Sequence, residues 1–316
     1  MTQKPRFLAI STIPPDLRAA IDARYGITDY LSLGGAPGKP VSAPGYQVAV
    51  TMGVFGIDAA TMDALPDLRL VACNGAGLEK IDLRAARERG IAVCHTPDEL
   101  AEDVGDGAIG MTYALLRRLV EGDRFVRDGR WLKERPSPST RLAGKTMGIV
   151  GLGRIGAHIA KRAEAIGMTV KYQGPRQKPG VTFPFVADVA ALARECDVLV
   201  LACPGGAATR HLVNADVLRE LGPKGYLVNV SRGSVVEEGA LLDALESKSI
   251  AGAALDVFAS EPNIDPRFLK LDNVVLEPHS ASITHETRAA MVARLMGDID
   301  AFVHGRPFYD AVKGAS

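Results

Sequence analysis

The 316-residue chain carries no net charge, because 37 Lys and Arg offset 37 Asp and Glu. That balance gives no reason to expect nucleic acid or an anionic membrane surface as a partner, and leaves open only a local basic pocket. Cysteine is sparse. Cys73, Cys94, Cys196 and Cys203 form no C-x-x-C pair, and each lies in an apolar run. Buried, reduced thiols in a reducing compartment are therefore expected. No continuous apolar run is long enough to span a bilayer. Met1 to Ile10 carries charge but lacks the long apolar core of a secretory signal. A cytoplasmic location is the expectation. There is no internal repeat and no low-complexity tract. What remains is 47% hydrophobic and 23% charged, the balance of a globular protein long enough for two domains.

Apolar, β-prone runs alternate with helical stretches. Phe7–Ile10, Gln47–Thr51, Leu68–Ala72 and Ile91–Cys94 read as strands. Pro15–Tyr25 and Leu83–Arg89 read as helices, and Gly34–Gly45 as a loop. This rhythm predicts a parallel sheet covered by helices on both faces. Thr96-Pro97-Asp98 signals a helix start, and Glu99–Leu119 reads as one long helix. A second series begins at Gly144, with strands predicted at Met147–Val150, Thr169–Tyr172, Val198–Ala202, Tyr226–Val230, Gly252–Leu255 and Val274–Leu276. Ser282–Val303 reads as a final amphipathic helix. The reading is an α/β protein of two Rossmann-like, doubly wound parallel-sheet domains. A larger dinucleotide-binding domain, residues 98–284, is inserted into a smaller flavodoxin-like substrate domain, residues 1–97 plus 285–316.

The most specific local signal is Thr146-Met147-Gly148-Ile149-Val150-Gly151-Leu152-Gly153-Arg154-Ile155-Gly156. An apolar run breaks into G-x-G-x-x-G, and His158–Ile166 then reads as a helix. This is the dinucleotide fingerprint in its strand–turn–helix context. Gly151 permits the tight turn, Gly153 lets backbone approach a pyrophosphate, and Gly156 lets helix and strand pack closely. The helix N-terminus offers free N–H groups to the phosphates.

Three later segments place reactive side chains at predicted strand ends, where open α/β sheets bind ligands. Asn229-Val230-Ser231-Arg232-Gly233 ends in an arginine whose fork suits a carboxylate. Asp256-Val257-Phe258-Ala259-Ser260-Glu261-Pro262 supplies an acid. Glu277-Pro278-His279-Ser280 supplies the side chain best suited to proton transfer near neutrality. Taken singly, these read equally as a surface arginine, a loop carboxylate and a structural histidine. Together they form a carboxylate clamp, an orienting acid and a proton donor, the equipment for reducing a 2-oxo acid by hydride transfer. No residue is assigned to a metal.

With these motifs the chain resembles the D-isomer-specific 2-hydroxyacid dehydrogenases over nearly its whole length. The glycine motif fits. So do Cys196-Asp197-Val198-Leu199-Val200-Leu201-Ala202-Cys203-Pro204 with Thr209 and His211, and the Arg232, Glu261 and His279 segments. Within the family it resembles the glyoxylate/hydroxypyruvate reductase branch. The resemblance implies that Arg232 binds the substrate carboxylate and polarises the oxo group, that His279 donates the proton, and that Glu261 holds the imidazolium. It implies cofactor contacts from Val104, Gly151, Leu152, Gly153, Arg154, Ile155, Arg176, Lys178, Ala202, Cys203, Pro204, Thr209, Val230, Ser231, Asp256 and Ser280. It also implies that the Asn74-Gly75-Ala76-Gly77 loop binds the carboxylate through backbone N–H groups; otherwise this is a plain glycine turn. Met52 and Phe55, on the loop Thr51–Gly56, would border the substrate side chain or else belong to the core. Leu100–Arg141 would form the arm of a homodimer, with Trp131 near the partner's site.

Cofactor choice turns on a further absence. An NAD site usually carries an acid about twenty residues past the glycine loop, yet none lies between Glu164 and Asp188. Arg176 and Lys178 stand there instead, which favours NADP(H) over NAD(H); the alternative is a solvated basic loop. The expected activity is NADPH-dependent reduction of glyoxylate or hydroxypyruvate to the D-2-hydroxy acid. The alternatives are an aryl 2-oxo acid reductase of the hydroxyphenylpyruvate type and a nucleotide-sensing, corepressor-like binding protein. Oxidation of a hydroxy acid in biosynthesis also stays open, although the chain ends at Ser316 without an expected regulatory domain.

Overall fold

The computed structural model describes residues 4–314. The outermost residues of the expected substrate domain, 1–3 and 315–316, lie outside the described residues. The chain divides into two compact units, Met1–Leu100 with Thr284–Ser316, and Ala101–Ile283.

In chain order the first unit opens with β1 (Phe7–Ala9), α1 (Pro15–Asp22), β2 (Ile27–Asp29) and β3 (Val48–Met52). It continues with α2 (Ala59–Asp63), β4 (Leu70–Asn74), α3 (Leu83–Glu88) and β5 (Ala92–His95). The second unit starts with α4 (Ala101–Leu116), α5 (Leu119–Arg127), β6 (Thr146–Val150), α6 (Arg154–Ala165) and β7 (Thr169–Gln173). Then come α7 (Val189–Arg194), β8 (Val198–Leu201), α8 (Ala215–Leu221) and β9 (Tyr226–Asn229). It closes with α9 (Glu238–Glu246), β10 (Gly252–Leu255) and β11 (Val274–Leu276). The chain returns to the first unit as α10 (His285–Val303) and α11 (Ala311–Gly314).

The first unit holds a parallel sheet in the order β2-β1-β3-β4-β5, the flavodoxin-like order. Its central strands β1, β3 and β4 are mostly apolar because both faces are covered, while edge strand β2, Ile-Thr-Asp, is only half-buried. Successive side chains alternate between faces, so Leu8, Ala49, Val71, Cys73 and Val93 join one cluster. Phe7, Ala9, Val48, Val50, Leu70 and Cys94 join the other, against Leu295 and Ile299 of α10. The second unit holds a parallel sheet in the order β11-β10-β9-β8-β6-β7. A single parallel bridge from Tyr172 to Phe185 lies beyond β7. It stands where the dinucleotide-binding order has a further strand. The direction of winding reverses at β6, so the turn after β6 and the turn after β8 face the switch point where such sheets take ligands.

Several expected boundaries move. The helix expected at Glu99–Leu119 is α4, Ala101–Leu116; a further helix, α5, which the sequence reading does not name, begins at Leu119 after Arg118 adopts a left-handed backbone at φ 54. The helix after the glycine loop starts at Arg154 rather than His158, directly on Gly153. The last helix starts at His285 rather than Ser282, where the Thr284 hydroxyl accepts from Thr287 N. Edge strand β2 and short α11 were not anticipated. Cys196 is half-buried rather than fully buried, unlike Cys73, Cys94 and Cys203. Burial pushes the Cys196 thiol up to about 12 and the Cys203 thiol up to about 11, so both stay protonated at neutral pH. Among the described residues no helix is long and apolar enough to cross a membrane.

Candidate active site

Neighbouring strands β9, β10 and β11 deliver the three reactive segments to one edge of the second sheet. Asn229, the last residue of β9, ties the turn that follows. Its Oδ1 accepts from Ser231 N at 3.0 Å and Ser231 Oγ at 2.7 Å, and its Nδ2 donates to Arg232 O at 3.1 Å. A Cβ on Gly233 would lie 1.9 Å from the carbonyl of Phe258, so only glycine lets this turn rest on the one after β10. Arg232 is half-buried, and its Nη1 donates to Ser231 O at 2.7 Å. Sequence reasoning quoted Asn229 but gave it no role; the signal was an amide side chain at a strand end.

After β10, Glu261 divides its carboxylate between two donors. Oε1 accepts from Phe258 N at 2.8 Å, and Oε2 lies 2.8 Å from His279 Nδ1. Burial alone would push this carboxyl up. The bond to His279, the Phe258 N–H and the charge of Arg232 overcome that and hold it below the ordinary glutamate range. Glu261 is therefore an anion at neutral pH, and Nδ1 is the nitrogen that donates to it. The other ring nitrogen, Nε2, makes no hydrogen bond among the described residues, and the side chain is one-third exposed (33%).

His279 itself sits at φ 55, a left-handed conformation unusual for a residue with a Cβ. Asp256, buried at the end of β10, holds that turn. Its carboxylate accepts from Ser280 N at 2.6 Å and Ala281 N at 3.2 Å. Burial raises the Asp256 carboxyl, with the two N–H groups and the charge of His279 opposing. Asp256, expected as a cofactor contact, is seen here holding the His279 turn. Half-buried Ser280 donates from Oγ to Glu277 Oε2 at 2.9 Å.

At the turn after β6, Gly151 has φ +91, and a Cβ there would come 2.6 Å from Cys203 Cα. A Cβ on Gly156 would lie 2.2 Å from Gly151 O, which explains the close helix–strand approach. A Cβ on Gly153 would meet nothing within 4 Å. Open space thus lies against backbone at the N-terminus of α6, and it fits a phosphate group. Leu152 is buried, Ile155 half-buried and Arg154 exposed; Val104, on α4, is buried. After β8, Ala202 is half-buried, Cys203 buried and Pro204 exposed, and Thr209 Oγ1 donates to Pro204 O at 2.7 Å. Val230 and Ser231 are buried.

In the first unit the turn after β4 carries Asn74, Gly75, Ala76 and Gly77. Gly75 N donates to Thr96 Oγ1 at 3.0 Å, and Thr96 N donates back to Gly75 O at 3.1 Å. Asn74 Oδ1 is buried with no partner. The loop after β3 abuts this turn, since a Cβ on Gly53 would stand 2.7 Å from Gly77 O. On that loop Met52 is half-buried and Phe55 exposed, so Phe55 is not a core residue. Sequence reasoning took Thr96 only as a helix-start signal and missed its hold on Gly75.

A family model described as D-isomer specific 2-hydroxyacid dehydrogenase, NAD binding domain, matches residues 109–281. The chain belongs to this family. The 2-ketogluconate reductase of Gluconobacter oxydans is 41% identical over 96% of both chains. The glyoxylate/hydroxypyruvate reductase A HPR2 of Arabidopsis thaliana is 46% identical over 79% of this chain and 80% of its own. Among solved structures, the NADPH-dependent glyoxylate/hydroxypyruvate reductase of Sinorhizobium meliloti in complex with NADP and malonate has a TM-score of 0.88. It is 38% identical and covers 95% of this chain and 94% of its own.

As an NAD(P)-dependent 2-hydroxyacid dehydrogenase, the protein has one local feature bearing on nucleotide choice. After β7, Tyr172 OH accepts from Lys178 N at 2.8 Å and so shapes the basic loop. Arg176 and Lys178 are exposed, and neither forms an ion pair among the described residues. Trp131, in the second unit, is 59% exposed. No cluster of His, Cys, Asp and Glu suited to a metal occurs among the described residues.

Proposed function

We propose that this dehydrogenase reduces a small 2-oxo acid, glyoxylate or hydroxypyruvate, to the 2-hydroxy acid with NADPH, giving the D isomer where the product is chiral. The observation that carries the reading is the 2.8 Å pairing of His279 Nδ1 with Glu261 Oε2, one strand from the turn that presents Arg232. When bound, the nicotinamide nucleotide supplies the hydride. Arg232 fixes the substrate carboxylate and draws electron density toward the oxo oxygen. His279 gives its Nε2 proton to that oxygen as it becomes an alkoxide. Glu261, anionic, steadies the imidazolium and its orientation.

Gly151, Leu152, Gly153, Arg154 and Ile155 would hold the pyrophosphate. Val104, Ala202, Cys203, Pro204, Thr209, Val230, Ser231, Asp256 and Ser280 would line the remainder of the nucleotide. Unpaired Arg176 and Lys178 would take a 2′-phosphate, and the NADP complex of the Sinorhizobium meliloti relative supports that preference. In the first unit the Asn74–Gly77 turn would take the carboxylate through backbone N–H groups, with Met52 and Phe55 bordering the substrate side chain. A homodimer with Trp131 near the partner's site completes the reading, as does a cytoplasmic location.

Initial rates of NADPH and NADH oxidation test this, with glyoxylate, hydroxypyruvate, phenylpyruvate and 2-ketogluconate at matched concentrations. Fast NADPH oxidation with the two small acids is expected. A preference for NADH overturns the role of Arg176 and Lys178. Activity confined to phenylpyruvate or 2-ketogluconate overturns the substrate, and none at all overturns the enzyme reading in favour of a nucleotide sensor.

A further inference from the structure

The turn after β4 is tied down by its carbonyls, and this orients its amides. Gly75 O accepts from Thr96 N at 3.1 Å, and Ala76 O lies 3.0 Å from His95 Nδ1. A carbonyl oxygen can only accept, so Nδ1 carries the proton. Both tethers come from the end of β5, the strand beside β4. In a planar trans peptide the C=O and N–H point in opposite directions. The Gly75 carbonyl shares its peptide with Ala76 N–H, and the Ala76 carbonyl shares its own with Gly77 N–H. Holding both oxygens toward β5 therefore turns both N–H groups away from it. Neither donates to any group among the described residues. The Gly75 N–H is engaged by Thr96 Oγ1, so two adjacent amides face outward, an arrangement that suits an anion. The imidazole is buried at 7% exposure and packs against the Tyr309 ring, 5.6 Å between centroids, which restricts its rotation.

We propose that His95 is a positioning residue for the reaction. Its Nδ1–H grips the Ala76 carbonyl and so presents the Gly77 N–H to the carboxylate of the 2-oxo acid. This rests on the reading of the turn as the carboxylate site.

Two variants separate the hydrogen bond from packing. His95→Asn carries its amide nitrogen at the same branch position as Nδ1 and keeps a donor. His95→Phe keeps a ring against Tyr309 but removes the donor; His95→Leu replaces it where the phenyl ring does not fold. The readouts are KM and kcat for glyoxylate, the Kd of oxamate by calorimetry with NADPH present, and the Kd of NADPH alone. Losing about one hydrogen bond should raise KM and the oxamate Kd about tenfold in His95→Phe, with kcat and the NADPH Kd changed less than about threefold. His95→Asn should return both constants to within about threefold of wild type, because one donor replaces another. Wild-type oxamate binding in His95→Phe, or equal losses in Phe and Asn, overturns the proposal while leaving the carboxylate site standing. A wild-type protein that neither binds oxamate nor reduces any 2-oxo acid overturns the carboxylate reading, and the role of His95 with it.

Discussion

Single side chains at the end of the second sheet have separable duties, and substitution should separate them. On the proposed mechanism His279 is the proton donor, so His279→Ala should lower kcat by about 10²–10⁴-fold, the usual worth of a positioned general acid. NADPH affinity and the unfolding temperature should stay near wild type. A near-normal rate would remove His279 from the chemistry. Glu261 acts through charge. Its carboxyl is held below the ordinary range against the raising effect of burial, so its folded pKa lies under its unfolded value. The stability it adds is complete above that unfolded value, about pH 4.3, and is lost as pH falls through the folded value. Wild type should therefore melt above Glu261→Gln at pH 7, and the gap should close as pH falls below the ordinary glutamate range in thermal scans. A gap independent of pH would mean that the variant loses shape rather than charge.

At the scale of elements, the turns divide into those that carry the fold and those that leave space. Gly151 and Gly233 are hemmed by backbone, 2.6 Å from Cys203 Cα and 1.9 Å from the Phe258 carbonyl for a Cβ. Gly151→Ala or Gly233→Ala should each cost about 1–3 kcal/mol, read as a lower unfolding temperature. Gly153 faces open space. Gly153→Ala should leave stability within about 0.5 kcal/mol yet weaken NADPH binding. Unchanged nucleotide affinity in Gly153→Ala would place the phosphates elsewhere. The glycine turn and the Arg232, Glu261 and His279 segments were legible because each is a short contiguous motif at the end of an apolar run. The left-handed turn at Arg118 that opens α5, edge strand β2 and the tether from Thr96 to Gly75 were not. Each depends on a backbone twist or a partner distant in sequence, which no local periodicity encodes. Gly233 was visible as a residue, but its contact with Phe258 exists only once β9 and β10 lie side by side.

At the scale of the whole molecule, balanced charge offers no long-range repulsion between copies, so exposed apolar surface decides self-association. Between α5 and the turn after it, Leu119 is 54%, Val126 55%, Trp131 59% and Leu132 90% exposed. Phe125 of α5 is buried instead, so the same helix has one face packed into its unit and another without cover. Isolated exposed apolar residues are ordinary, but four large ones over this short stretch mark an interaction surface. Because a closed two-fold pair is the commonest homo-oligomer, the protein should sediment as a dimer at micromolar concentration. The double variant Trp131→Asp with Leu132→Asp should sediment as a monomer, since a charge buried without a partner opposes association. Its NADPH affinity should hold, because the expected nucleotide contacts lie elsewhere in the unit. Its KM for glyoxylate should rise if Trp131 completes the partner's site and stay fixed if Trp131 serves association alone. A wild-type monomer by light scattering would leave the stripe without a second copy to cover it and would remove Trp131 from the substrate residues.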